Sequence, residues 1–253
     1  MLKALLRWSQ QIPALLRDGL PTCCALCGQI GLNVICAGCD QSYFSHETVR
    51  CQQCANPLPV ISRKTPDLCG LCGDCLKQKR AFDASVVAID YAAPGDQLVL
   101  TLKFGGQLAL APVFARMLRD AALRRPAIAN NLPDILTAVP LSPKRIAKRG
   151  FNQALEIAKP LSRLLNISLQ PNLIQRPHDT LPQAKLALHK RRQNLRNAFT
   201  VPPQAVKLIS GRHIGVIDDV MTTGETLNEL ARTLKRFGAV RVTNIVFART
   251  QLK

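Results

Sequence analysis

Residues 214–226 read Ile-Gly-Val-Ile-Asp-Asp-Val-Met-Thr-Thr-Gly-Glu-Thr, and their types and order suit the binding of a small anion with a polyol attached. Ile214, Val216 and Ile217 predict a short apolar strand with Asp218 and Asp219 at its end. Val220 and Met221 lead into the loop Thr222, Thr223, Gly224, Glu225, Thr226, and an amphipathic stretch with Leu227, Leu230 and Leu234 follows at once. A strand that passes through a Thr/Gly loop into a helix N-terminus makes an anion site. Unpaired backbone N–H groups and hydroxyls converge there, and the helix dipole favours negative charge. The adjacent carboxylates repel phosphate. They suit the vicinal hydroxyls of a sugar, or a magnesium ion carried with it. A 5-phosphorylated ribose satisfies both halves.

Two basic segments supply further ligands. Residues 140–153 run from Pro140 at a predicted strand end to a predicted helix and carry Lys144, Arg145, Lys148 and Arg149. Arginine offers a bidentate fork and lysine a point charge, and both grip pyrophosphate. Residues 176–196 hold Lys185, Lys190, Arg191 and Arg192 with little apolar periodicity before 186, which predicts a mobile flap followed by a short basic helix. Solvated loops are the alternative for both segments. His178 and His189 are expected at the surface.

A second kind of chemistry sits earlier. Ten cysteines all lie between residues 23 and 75. Four pairs have Cys-x-x-Cys spacing: Cys24/Cys27, Cys36/Cys39, Cys51/Cys54 and Cys72/Cys75. Zinc takes four soft ligands at tetrahedral corners, and a two-residue turn supplies two of them. We therefore expect two structural zinc sites, Cys24/Cys27/Cys36/Cys39 and Cys51/Cys54/Cys72/Cys75, with interleaved pairing left open. Cys23 and Cys69 remain over, and Cys69 competes as a ligand through Cys69-Gly-Leu-Cys72. Four thiolates leave no open position for catalysis. Disulfides lack the support of a secretion signal. The module is small and poor in large apolar residues, so metal should supply much of its stability.

The elements that position these groups follow from periodicity. Strands are predicted at 85–91, 135–139, 214–217 and 242–248, and helices at 107–123, 151–165 and 225–237, with Pro160 expected to kink or break the second helix. Strands alternating with helices predict an α/β fold with a mostly parallel sheet covered on both faces, whose ligands bind beyond the carboxyl ends of the strands. Three divisions are expected: an N-terminal helical segment over 1–22, a zinc module over 23–80, and an α/β domain over 81–253. No run of about 18 apolar residues occurs, which excludes a membrane-spanning helix on sequence grounds. Net charge is +18, and residues 144–196 carry twelve Lys/Arg against two Asp/Glu. That is more cation than one pyrophosphate needs and suggests a nucleic-acid partner.

The run from Asp218 to Thr226 resembles the phosphoribosyl-pyrophosphate (PRPP) motif of type I phosphoribosyltransferases. The whole chain resembles the ComF/GntX family of competence and DNA-utilisation proteins. That likeness rests on the cysteine pairs, Cys72-Gly-Asp-Cys-Leu76, Ala81-Phe82-Asp83, Leu102-Lys103-Phe104, Val139-Pro140-Leu141, Arg149-Gly150-Phe151-Asn152-Gln153, Arg191-Arg192-Gln193-Asn194 and the Asp-Asp motif. The resemblance implies a type I phosphoribosyltransferase fold behind a zinc module. It places Asp218 and Asp219 on the ribose hydroxyls, Thr222–Thr226 on the 5-phosphate, a pyrophosphate loop from Pro140, and a flexible covering loop near 176–192. It further implies a cytoplasmic competence factor that handles incoming single-stranded DNA, with PRPP and magnesium as ligands and a competence helicase-like partner. The alternative is an active phosphoribosyltransferase acting on a base or nucleic-acid acceptor. Only five residues follow the last predicted strand, so no C-terminal hood over an acceptor base is expected.

Overall fold

The structure is a computed structural model that describes residues 21–46, 48–59, 70–177 and 198–251. The chain divides into two compact units, Met1–His46 and Glu47–Lys253. In the first, strand β1 (Thr22–Cys23) pairs antiparallel with β2 (Ile30–Gly31). Gly28 turns the chain between them at φ 75°, a left-handed conformation that favours glycine. Helix α1 (Ala37–Tyr43) starts at Cys36, whose sulfur accepts from Cys39 N–H.

The second unit opens with the turn at 51–54 and helix α2 (Gly73–Lys77). An alternating series follows. It consists of β3 (Ala84–Asp90), α3 (Gly95–Gly105), α4 (Leu110–Leu123), α5 (Pro126–Ala129), β4 (Ile135–Ala138), α6 (Pro143–Arg149), α7 (Gln153–Leu165), β5 (Ser168–Leu169), α8 (Val206–Ile209), β6 (His213–Met221), α9 (Glu225–Arg236) and β7 (Arg241–Arg249). The strands form one parallel sheet in the order β3-β7-β6-β4-β5. Their near-continuous apolar character fits a sheet buried on both faces. Side chains alternate between those faces. Val86 joins Ala121, Ala122 and Ile128 of the helical layer, and Phe247 stacks on Phe114 of α4 with ring centroids 3.5 Å apart. Val87, Val216 and Val246 turn the other way, towards Leu227, Leu230 and Leu234 of α9 and towards Cys51, Cys54, Cys72 and Cys75.

The second cysteine group is therefore core of the α/β unit. The compact units divide at 46/47, so the two cysteine groups fall in different units, and the second packs on the sheet of its own unit. Some expectations change. Pro160 lies inside a single helix α7, where Ile157, Ala158 and Leu161 are all fully buried around it. Burying three apolar side chains, at roughly 1.5–3 kcal/mol for each large one, outweighs a helix proline's cost of about 3 kcal/mol. Strand β6 runs to Met221, so Asp218 and Asp219 lie within it: β7 keeps pairing alongside, Asp218 with Val246 and Met221 with Arg249. The pyrophosphate-loop candidate contains the seven-residue helix α6. Of the helical segment expected over 1–22 and the flap and basic helix expected over 176–196, residues 1–20 and 178–196 fall outside the described residues, and Thr22 lies in β1. Among the described residues no helix is long and apolar enough to cross a membrane.

Candidate ligand and metal sites

The carboxyl ends of β4 and β6 and the N-terminus of α9 enclose a cavity of about 420 Å³. Gly224 caps α9 in the left-handed region at φ 78°, and the first-turn residues Glu225, Thr226 and Leu227 line the cavity. Asn152 fixes the opposite wall. Its Nδ2 donates to Val139 O at 3.0 Å, and its Oδ1 accepts from Leu155 N–H at 3.4 Å, which ties the start of α7 to the end of β4. Asp218–Thr222, Gly224–Leu227, Arg145 and Arg149 all line this one space. Thr223 does not line it, and its buried Oγ1 has no hydrogen-bond partner among the described residues. Pro140 does not line it either, and Lys144 is exposed on α6. Lys185, Arg191 and Arg192 lie outside the described residues.

The electrostatics centre on the carboxylate pair. Asp218 Oδ1 accepts from Asp219 N–H at 2.9 Å. Lys103 Nζ, from α3, sits 3.0 Å from Asp219 Oδ2 as an ion pair without hydrogen-bond alignment. Burial, and then the adjacent Asp219 charge, push Asp218 up to about 8, with Lys103 opposing. Asp219 is the more covered of the two by surface area, and Lys103 pairs with it directly. Such a pair calls for a cation or for hydroxyl donors. Across the cavity, burial lowers the Arg149 pKa and Asp219 offsets part of that, while the guanidinium lies 5.2 Å from the centre of the Phe104 ring. Gln153 also lines the cavity, and its Nε2 has no hydrogen-bond partner among the described residues. Tyr91 and Thr250 are lining residues that no motif marks, and Lys103, Gln153 and Arg176 lie in motifs or segments that gave these side chains no separate role.

The cysteines gather into two groups, Cys24/Cys27/Cys36/Cys39 and Cys51/Cys54/Cys72/Cys75, with sulfurs within 4.8 Å of one another in each. The pairing joins neighbours in sequence and is not interleaved. Sγ···Sγ distances of 3.7 Å (Cys27–Cys36) and 3.5 Å (Cys54–Cys72) are far too long for disulfides. They approach the ~3.8 Å edge of a tetrahedron with metal–sulfur bonds of about 2.3 Å. Backbone N–H groups already point at the sulfurs: Cys36 at Cys24 and Cys72 at Cys51. A hydrogen bond from Cys54 brings Cys51 down to about 4, and the same contact pushes Cys54 up. Burial lifts Cys39 and Cys75 to about 12. Four thiolates cannot share such a pocket without a cation. The donor set fits a thiolate-preferring divalent ion. Cys23 is exposed and belongs to neither group, and Cys69 lies outside the described residues.

Residues 146–251 match the family description "Phosphoribosyl transferase domain". The "DNA utilization protein YhgH" of Escherichia coli O157:H7 is 35% identical over 227 residues, which cover 88% of this chain and 95% of that protein. The "Competence protein F" of Haemophilus influenzae is 33% identical over 217 residues, covering 84% and 89%. Among solved structures, a purine phosphoribosyltransferase from Pyrococcus horikoshii Ot3 aligns with 16% identity and a TM-score of 0.30 over 65% of this chain and 77% of that one, too loosely to bear on the site. With a third of its residues shared over nearly the full length of such relatives, the chain belongs to the ComF/GntX family of competence and DNA-utilisation proteins.

Proposed function

We propose that this protein is a cytoplasmic competence factor that handles incoming single-stranded DNA and binds PRPP with magnesium in the β6–α9 cavity. One observation carries the reading: a single cavity gathers a carboxylate pair, a helix N-terminus and three arginines. The N–H groups of the Thr222–Thr226 loop take the 5-phosphate. Asp218 and Asp219 accept from the ribose hydroxyls or hold magnesium, and Lys103 must release Asp219 for this. Arg145 and Arg149 take the pyrophosphate, with Lys185, Arg191 and Arg192 of the 176–192 segment proposed to cover it. Magnesium, when bound, supplies positive charge that offsets the carboxylates and the pyrophosphate. Zinc, held by the two cysteine groups, is structural. Exposed Lys144, Lys148 and Arg163 on α6 and α7 offer cations to a nucleic-acid backbone.

Calorimetry of the zinc-loaded protein with PRPP, with and without magnesium, tests the site. We expect magnesium-dependent binding that falls at least about tenfold in Asp218→Ala, the loss of roughly 1.4 kcal/mol of interaction. Absence of binding to the wild type overturns the reading.

The raised Asp218 favours a second reading, turnover. A carboxylate that titrates near neutral pH inside a cavity is suited to accept a proton. A nitrogen nucleophile attacks the anomeric carbon, the bond to pyrophosphate breaks, and Asp218 takes the nucleophile's proton. Pyrophosphate release with a base, nucleoside or DNA acceptor, abolished by Asp218→Asn, supports this. No release with any of them defeats it.

A further inference from the structure

We infer that Arg249 couples the second four-cysteine site to the phosphate loop, so that a metal held by Cys51, Cys54, Cys72 and Cys75 fixes the loop of the neighbouring ligand cavity. Arg249 ends β7 and is 0% exposed. Its Nη1 donates to Thr222 O at 2.6 Å, a backbone carbonyl of the loop itself. Its Nε and Nη2 have no hydrogen-bond partner among the described residues. A buried guanidinium with two idle donors is costly unless a negative group stands close by.

The groups that supply that charge are sulfurs. Burial works against the Arg249 cation. Cys54 stands in side-chain contact with the guanidinium, although neither Nε nor Nη2 reaches hydrogen-bond geometry, and Cys72 adds its charge. Four thiolates on one divalent ion carry a net charge of about −2, and their sulfurs accept N–H bonds. The tetrathiolate is thus the counter-ion that Arg249 lacks. A second cation, Arg80, leaves the cysteine segment five residues after Cys75 and ion-pairs with Glu225 of the loop at 3.0 Å. Next to it, Ala81 N–H donates to Asn228 Oδ1 of α9 at 2.7 Å. The cysteines, Met221 and Leu227 share one buried cluster, so the metal site and the loop are joined by packing as well as by charge.

Linkage then works in both directions. If the metal stiffens the loop and so tightens ligand binding, ligand must tighten metal retention by the same factor. The affinity half of this inference rests on the phosphoribosyl reading, and the loop-rigidity half does not.

The test uses the full chain with both sites loaded with zinc. A chromogenic chelator reports zinc release, cysteine alkylation identifies the emptied site, and hydrogen exchange follows residues 220–226. In Arg249→Met we expect zinc to leave the Cys51 group about tenfold faster while the Cys24 group is unchanged, and we expect residues 220–226 to lose protection. Arg249→Lys, which keeps the charge but loses the fork, should recover zinc retention more than loop protection. PRPP should slow release from the Cys51 group only. Wild-type zinc release together with wild-type loop protection in Arg249→Met overturns the inference. If that variant does not fold, the wild type decides: emptying the Cys51 site either raises exchange at 220–226, as expected, or leaves it unchanged and refutes the coupling. PRPP that binds without slowing release refutes the affinity half. PRPP that does not bind refutes the phosphoribosyl reading and leaves zinc release and exchange to judge Arg249.

Discussion

Asp218 and Asp219 are consecutive residues of one strand, so their carboxylates leave opposite faces of the pleat and still interact through a shared backbone and a buried setting. A proton retained towards neutral pH has two consequences. The folded pKa of Asp218, about 8, stands above its ordinary value of 3.8. Its contribution to stability is therefore fully present below about pH 4 and is lost as pH rises through about 8. Thermal melting of the ligand-free protein between pH 5 and 9 should show this loss relative to Asp218→Asn, which removes the titration. Binding has the opposite slope: magnesium–PRPP needs the anion, so affinity should rise from about pH 7 to pH 9, by at most about tenfold per unit. A flat profile in the wild type would remove the carboxylate pair from the account. The pair and the Thr/Gly loop were legible in sequence because every residue involved is contiguous. Lys103 was not, because its contact with Asp219 spans 116 positions and exists only once α3 folds against β6.

The loop works because of where α9 begins. Gly224 occupies a left-handed turn, and a Cβ there would meet Met221 Cε at 2.5 Å. Met221 is buried and cannot swing freely. Gly224→Ala should therefore lower stability by about 1–2 kcal/mol for the backbone alone and weaken phosphate binding beyond that. Urea denaturation and a titration with inorganic phosphate read the two effects separately. At this scale sequence reasoning held where one periodicity ran unopposed, as in α4, α9 and β7. It failed where tertiary partners decided. Pro160 sits in mid-helix because its neighbours are buried, and β6 extends past the carboxylates because β7 continues beside it. The short helix α6 is hidden in a basic run with no buried side chain to give it a period.

Across the whole molecule, positive charge outweighs negative by a wide margin. At +18 the protein should bind single-stranded DNA through its phosphates, with log K falling linearly in log salt. Replacing Lys148 and Arg163 together by alanine should reduce that slope by about 1.4, since each phosphate contact contributes about 0.7 on a single strand. Fluorescence anisotropy between low and moderate salt measures it, and a salt-independent affinity would end the nucleic-acid reading. The fold class was visible from alternating strands and helices. That the second cysteine group is built onto the sheet was not, because a Cys-x-x-Cys pair reads the same in either setting. The strand order carries a further consequence, for synthesis. Among the described strands β3 has β7 as its one neighbour, and β7 is made about 150 residues later. On the ribosome, then, Ala84–Asp90 leaves the exit tunnel without a partner and stays so until Arg249 has followed it. Over that span of translation the newborn chain carries an unpaired apolar strand, the state that chaperones cover and in which neighbouring chains aggregate.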